Sequence, residues 1–90
     1  MKNKIILSSL ALDLMRVALG YHRGSKKMAE RFFVEAMKRR DEIDTNIVKP
    51  YIKVLLKKFP EITSQKDEQK VAEDALMYSI LFQNAALKSK

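Results

Sequence analysis

The side chains best suited to chemistry in this 90-residue sequence lie in a short basic stretch and in two pairs of acids. The stretch GYHRGSKK at 20–27 holds the single histidine and both glycines of the chain, and the acid pairs are Asp67/Glu68 and Glu73/Asp74. A general acid and base must both reach one reacting group, whereas neighbouring helical residues lie about 100° apart around the axis. Acids near a helix start also stabilise its dipole without any chemistry. We therefore expect both acid pairs to be structural.

The sequence contains no recognisable set of ligands or nucleophiles. There is no cysteine and only one histidine, which excludes thiolate and multi-histidine zinc sites. Phosphate-loop, HExxH, GxGxxG and Ser/His/Asp patterns are also missing. Met28, Met37 and Met77 fall at helical spacing, which is typical of core packing rather than metal binding. We predict no metal, no cofactor and no catalytic residue, and hence a protein that acts by binding.

The basic stretch is a candidate phosphate-binding corner. It precedes a predicted helix, whose first backbone amides and positive dipole end favour an anion. The formal net charge is +7, and the whole excess lies in residues 1–40. Basic side chains continue along the same helix, enough for several phosphate contacts. The predicted DNA-binding or RNA-binding residues are His22, Arg23, Lys26, Lys27, Arg31 and Lys38.

Arg16 and His22 offer an enzymatic alternative. Their spacing resembles the Arg-x(4 to 6)-His signature of HEPN-type ribonucleases, which are small helical bundles that often dimerise. The resemblance implies that Arg16 and His22 of two protomers meet at a dimer interface and cleave RNA without a metal. It covers seven residues, and the motif lies at the end of the first helix instead of late in the domain. A competing interpretation pairs Arg16 with Asp13, one turn away, and leaves His22 exposed in a loop.

Four segments with helical spacing of apolar residues must position these side chains, and no period-two strand pattern accompanies them. We predict helices at about 4–21, 26–43, 47–59 and 65–87. Their short connections favour antiparallel neighbours. The predicted fold is all-α, a single domain over 1–90 that forms a compact four-helix up-and-down bundle.

Residue types at the predicted helix ends set those boundaries. Gly20 and Gly24 are expected to end the first helix, and Ser25 is expected to cap the second through its hydroxyl. Pro60 is expected to stop the third helix, and the sequence SQKD at 64–67 approximates a capping box that begins the fourth.

The first helix and the second half of the fourth are apolar at nearly every angle around their axes. A chain of this size cannot easily hide both surfaces within itself. Dimerisation is the economical solution, and a charged residue at Leu12 or Leu19 should then dissociate or unfold the protein. The predicted dimer-interface residues are Leu12, Met15, Leu19, Tyr78 and Phe82.

The N-terminal run after Lys2 and Lys4 has the residue order of a signal peptide. Asp13 and Arg16 interrupt the run, and no small-residue cleavage site follows. It is also too short and too charged to span a bilayer. We therefore expect a cytoplasmic protein without membrane insertion.

Three functions stay open at this point. The first is a small helical interaction or oligomerisation protein, whose partner is a second copy or another protein. The second is a nucleic-acid-binding protein that uses the basic corner and the basic face of the second helix. The third is a HEPN-like, metal-independent ribonuclease.

Overall fold

Four α-helices and one 3₁₀ helix make up most of the part of the chain that the structure describes. The computed structural model describes residues 2–88. Helix α1 spans Lys2–His22, α2 spans Lys26–Glu42, α3 spans Pro50–Lys58 and α4 spans Glu68–Lys88, and a 3₁₀ helix at Phe59–Ser64 joins α3 to α4. The described residues contain no strand, so the all-α prediction is confirmed.

Helix α1 is the central packing element, since it contacts both α2 and α4. One of its faces is completely buried, with side chains at spacings of three and four residues that are at most 1% exposed. These are Leu7, Leu10, Leu14 and Val17. On an adjacent face the hydroxyl of Ser79 in α4 donates a hydrogen bond of 2.7 Å to the carbonyl of Ala11. This buried contact fixes where α4 lies against α1.

An aromatic cluster joins α2 and α4 to the 3₁₀ helix. Phe59 is fully buried at its centre. Its ring centroid lies 5.7 Å from that of Phe82 and 6.4 Å from those of Phe33 and Tyr78. The rings of Phe33 and Phe82 meet it edge to face, an arrangement that aromatic quadrupoles favour. The cluster therefore ties three separate elements into one core.

Helix α3 ends at Lys58, within one residue of the predicted end at Phe59, and the chain continues as a 3₁₀ helix from Phe59 to Ser64 that contains Pro60. Proline has no N–H to offer the carbonyl four residues earlier, which here belongs to Leu56. Arg40 of α2 donates to that oxygen through Nε at 2.7 Å. A side chain from α2 thus replaces the missing backbone donor at the end of α3.

Helix α3 begins at Pro50, later than the predicted residue 47. The Asp44 side chain accepts a hydrogen bond of 3.0 Å from the N–H of Asn46, which stabilises a turn instead of helix. The buried amide of Asn3 also bonds both backbone groups of Asp44, with each bond 3.1 Å long. The start of α1 is thereby fastened to the segment between α2 and α3.

Helix α4 begins at Glu68, also later than predicted, because Asp67 and not Ser64 is its capping residue. The Asp67 carboxylate accepts from the N–H of Gln69 at 3.0 Å and of Lys70 at 3.4 Å. Ser64 is the last residue of the 3₁₀ helix. Asp is a strong N-cap, so its position overrides the serine three residues earlier.

The corner between α1 and α2 uses its two glycines differently. Gly24 has a φ of +76°, and the N–H groups of Gly24 and Ser25 bond the carbonyls of Tyr21 and Gly20 at 3.1 and 2.8 Å. This is the Schellman arrangement that ends helices with a left-handed glycine. The N–H of Met28 donates to the Ser25 hydroxyl at 3.4 Å, which confirms the predicted cap. Gly20 instead lies buried within α1, so only Gly24 ends the helix.

Gly20 allows α1 and α2 to approach closely, and its replacement by alanine should be destabilising. A Cβ at position 20 would lie 2.7 Å from the backbone nitrogen of Ala29 and 2.9 Å from its Cα. Because these are backbone atoms, the two helices must move apart. We expect Gly20→Ala to lower the free energy of unfolding by about 1–3 kcal/mol, measured by urea denaturation. Gly24→Asn is the control, since asparagine tolerates a left-handed conformation and that site is open. Wild-type stability for Gly20→Ala would contradict this packing.

Candidate functional site

Two neighbouring helices expose apolar side chains that no part of the described chain covers. On α1 they recur at spacings of seven, three and four residues, and on α4 at four and seven. Their exposed fractions lie between 37% and 69%. We call this surface the α1/α4 apolar face; its residues are Ile5, Leu12, Met15, Leu19, Leu76, Ile80 and Leu87.

These side chains lie on one side of the molecule because α1 and α4 run antiparallel and share a core. One buried cluster holds Val17 with Val71, and the other holds Leu7 with Ala86, so residue numbers rise along α1 where they fall along α4. Both helices bury their inner faces in these clusters. Helical periodicity then places the exposed apolar residues of both helices on the opposite, outer side.

The structure divides the predicted interface residues into two groups. Leu12, Met15 and Leu19 lie on the α1/α4 apolar face. Phe82 is fully buried and Tyr78 is half-buried, and both rings pack on Phe59 in the chain's own core. We therefore correct the sequence prediction for Phe82, which is not available to a partner, whereas Tyr78 keeps part of its surface exposed.

Sequence reasoning missed the α4 part of this face. Leu76, Ile80 and Leu87 lie on the side of α4 opposite Phe82. The signal was present in their phase, because spacings of four and seven residues keep them together on one stripe. It was hidden by the apolar residues of the inner face, which fill the same stretch of sequence.

The predicted nucleic-acid-binding residues are all exposed, although two of them form ion pairs with acidic side chains. Lys26 forms an ion pair with Glu68 at 3.7 Å, and Lys38 forms one with Glu35 at 3.8 Å. Three other cationic side chains of the set form no ion pair within residues 2–88. They are Arg23, Lys27 and Arg31. The candidate anion surface therefore narrows to three residues at the start of α2 and in the turn before it.

Arg16 is engaged inside the single chain. Its guanidinium lies 3.9 Å from the Asp13 carboxylate, as the competing interpretation predicted, and 5.2 Å from the centre of the Phe32 ring. His22 is exposed as the last residue of α1, not in a loop. Arg16 therefore has contacts within its own chain for both its charge and its planar face.

Asp13 is a buried carboxylate between α1 and α2. Arg39 of α2 approaches it to 3.8 Å, but Asp13 Oδ2 and Arg39 Nε make no hydrogen bond within the described residues. Burial raises the pKa of Asp13, the positive charges of Arg39 and Arg16 oppose this rise, and Glu35 adds to it. The group costs free energy when ionised, because its two ion pairs are too long to offset its desolvation.

The raised pKa of Asp13 predicts a specific pH dependence of stability. A folded-state pKa above the unfolded value means that the native state binds more protons, so this group lowers stability as pH rises from about 4 through the folded pKa. Asp13→Asn removes that titration. We expect the variant to gain stability relative to wild type across this window, measured by urea denaturation from pH 3.5 to 7. Asp41→Asn, on the exposed side of α2, is the control. A difference between Asp13→Asn and wild type that does not change with pH would contradict the assignment.

The sequence prediction judged the N-terminal run too short and too charged to span a bilayer, but helix α1 is long and apolar enough to do so. Residues Asn3–His22 satisfy the length and composition of a membrane-spanning helix, and 44% of the most apolar stretch is buried inside the chain. A core helix satisfies the same requirements.

Residues 2–88 contain no group of three or more His, Cys, Asp or Glu side chains placed to hold a metal ion. Comparisons with protein-family models, with curated proteins and with solved structures find no match for this chain.

Proposed function

We propose that this protein is a small helical interaction module that forms a homodimer through its α1/α4 apolar face. The supporting observation is the exposure of seven apolar side chains on two adjacent helices. A continuous exposed apolar patch is uncommon on monomeric proteins and marks an interaction surface. The proposal also accounts for the nearly all-round apolar character of α1, whose inner side faces the core and whose outer side faces the partner.

A second copy is the partner that fits this face best. Two antiparallel helices present parallel ridges with a groove between them, and such a surface packs well on an identical one. In a two-fold dimer each copy contributes the same patch, so a single surface is complementary to itself. In this proposal the building block is an up-and-down bundle, and the assembly is a cytoplasmic dimer.

The oligomeric state tests the proposal directly. Sedimentation velocity and light scattering over a range of protein concentrations should give twice the monomer mass of 10.4 kDa. A folded protein that stays monomeric at about 100 μM, well above ordinary dimer dissociation constants, would contradict it. Flotation with neutral lipid vesicles identifies the competing occupant, since a monomer that floats would show that lipid covers the face.

Nucleic-acid binding is a second candidate function, favoured by the unpaired charges of Arg23, Lys27 and Arg31. Lys27 and Arg31 lie one turn apart on the outer side of α2, away from buried Ala29 and Ala36. Helix α2 contacts α1 at Gly20 and α4 contacts it at Ala11, on a different face of α1, so this surface stays free in the proposed dimer. Each dimer would present two such surfaces to a polyanion.

Removing these three charges together tests the second candidate. Arg23→Gln, Lys27→Gln and Arg31→Gln in one variant should weaken binding to labelled RNA and DNA, measured by fluorescence anisotropy at several salt concentrations. The slope of log affinity against log salt should become shallower by about 0.7–0.9 for each phosphate that the variant no longer neutralises. The matched control is Lys53→Gln, Lys57→Gln and Lys58→Gln, which removes the same charge from exposed sites on α3. Equally weakened binding in both variants would indicate a response to net charge and would contradict a defined site.

A further inference from the structure

A cleft with an apolar floor lies between the start of α1, the end of α4 and the start of α3. Its volume is about 350 Å³, within the range of small-molecule sites. Three residues of its lining belong to the core and are at most 5% exposed; they are Leu7, Ile52 and Ala85. Ile47 and Val48, from the segment before α3, add to this apolar lining. The cleft can therefore remove an apolar ligand surface from water.

Hydrogen bonds hold the walls of the cleft in place. The side-chain amide of Asn3, which lines the cleft, donates to the carbonyl of Asp44 and accepts from its N–H, each at 3.1 Å. The Asp44 carboxylate accepts from the N–H of Asn46 at 3.0 Å. The segment before α3 is thereby fixed beside α1. A preformed cleft loses little conformational freedom when a ligand binds.

The charged residues that line the cleft are all lysines. They are Lys4, Lys49 and Lys88. All three are exposed, and none forms an ion pair with a residue in the range 2–88. No acidic residue of the described chain contributes to the lining. An anion in the cleft would offset the mutual repulsion of these ammonium groups and accept hydrogen bonds from them.

We infer that this cleft binds a single-chain amphipathic anion, an alkyl tail that carries a carboxylate or phosphate head. The tail lies on the apolar floor, and the head accepts hydrogen bonds from the lysines at the rim. A bare anion uses only the rim, and an uncharged alkyl chain uses only the floor. The volume is near the lower end of the small-molecule range, which favours one chain over the two chains of a bilayer lipid.

The cleft is separate from the surface proposed for self-association. None of the residues that define the α1/α4 apolar face lines it. A bound anion and a second copy therefore use different parts of the molecule. The inference goes beyond the proposed dimer and does not depend on it.

Calorimetric titration with decanoate and with decyl phosphate tests the ligand class. At least one of them should bind with a dissociation constant on the order of 100 μM, which is reasonable for a ligand of this size. Acetate, inorganic phosphate and decanol should each bind at least about tenfold more weakly, because each lacks either the tail or the charge. No binding of either decyl anion would overturn the inference, and so would equal affinity for decanol or for the bare anions.

Replacing the lysines at the rim tests the position of the head. The variant carries Lys4→Gln, Lys49→Gln and Lys88→Gln, and its affinity for the decyl anion should fall at least about tenfold. The matched control removes the same charge from exposed sites on α3 that do not line the cleft; it carries Lys53→Gln, Lys57→Gln and Lys58→Gln. The control should bind like the wild type. Equal weakening in both variants would indicate a response to net charge and would overturn the site.

The position of the tail is tested by Ile47→Asn and by amide chemical shifts. Ile47 is 71% exposed, so its replacement should weaken binding while the fold persists. Val54→Asn is the control, because Val54 is also exposed but does not line the cleft. On addition of decanoate, the largest amide shifts should lie at residues 47–52 and at the adjoining ends of α1 and α4. Shifts centred on Leu76 and Ile80 would place the tail on the α1/α4 apolar face and would overturn the inference.

Discussion

Replacing Ile80 with glutamate is expected to convert the dimer into a folded monomer. Ile80 is 51% exposed in the single chain, so a charged side chain there can stay in water when the chain is alone. In the proposed dimer the same carboxylate would be buried without a partner. Burying an unpaired charge is strongly unfavourable. We expect the dissociation constant to rise at least about 100-fold, which corresponds to about 3 kcal/mol.

The measurement is sedimentation velocity for association, with circular dichroism to show that the helices persist. Val34→Glu is a matched control, because Val34 is 54% exposed on α2, outside the α1/α4 apolar face. It introduces the same charge at a similarly exposed aliphatic residue and should leave the dimer intact. A dimeric Ile80→Glu protein, or equal dissociation by Val34→Glu, would contradict the proposed interface.

Leu12→Glu distinguishes the structure from the simpler sequence expectation. The sequence predicted that a charge at Leu12 would dissociate or unfold the protein. Leu12 is 44% exposed, so the structure predicts dissociation without unfolding. The difference arises because helical periodicity identifies an apolar side chain but does not say whether the chain's own core or a partner covers it.

The fold class was predictable from the sequence because the apolar spacing is helical throughout and the capping residue Ser25 has its expected role. The starts of α3 and α4 were not, since they depend on which of several competing polar side chains caps the backbone. Asp44 and Asp67 prevail through hydrogen bonds to nearby N–H groups. The end of α3 before Pro60 was predictable, but the bond from Arg40 to the Leu56 carbonyl was not, because Arg40 lies far away in sequence.

The sequence also could not show which charged residues of the candidate sites form ion pairs. Basic residues were found by type and position, but the ion pairs from Lys26 to Glu68 and from Arg39 to Asp13 join different helices. Only the folded structure shows which charges are neutralised. It also shows that Gly20 serves a helix contact, since the atoms that a Cβ would meet belong to Ala29.

The largest decrease in stability is expected for Phe59→Ala. Phe59 is fully buried, and its ring contacts Phe33, Tyr78 and Phe82, which belong to α2 and α4. Truncation removes apolar contacts from three elements and leaves a cavity, because residues held by helices cannot collapse into the space. Such substitutions cost about 3–5 kcal/mol. That is a large part of the roughly 5–15 kcal/mol typical of a small domain.

Urea denaturation followed by circular dichroism, at one fixed protein concentration, measures this decrease with the same concentration dependence for every variant. Phe59→Leu should be milder, at about 1–2 kcal/mol, because it keeps most of the apolar volume. Tyr51→Ala should change stability by no more than about 0.5 kcal/mol, since that ring is 48% exposed on α3. If Phe59→Ala were no less stable than Tyr51→Ala, the aromatic cluster would not be the centre of the core. A large decrease with the dimer still formed at low urea would show that core and interface are separate surfaces of α4, with Phe82 serving one and Ile80 the other.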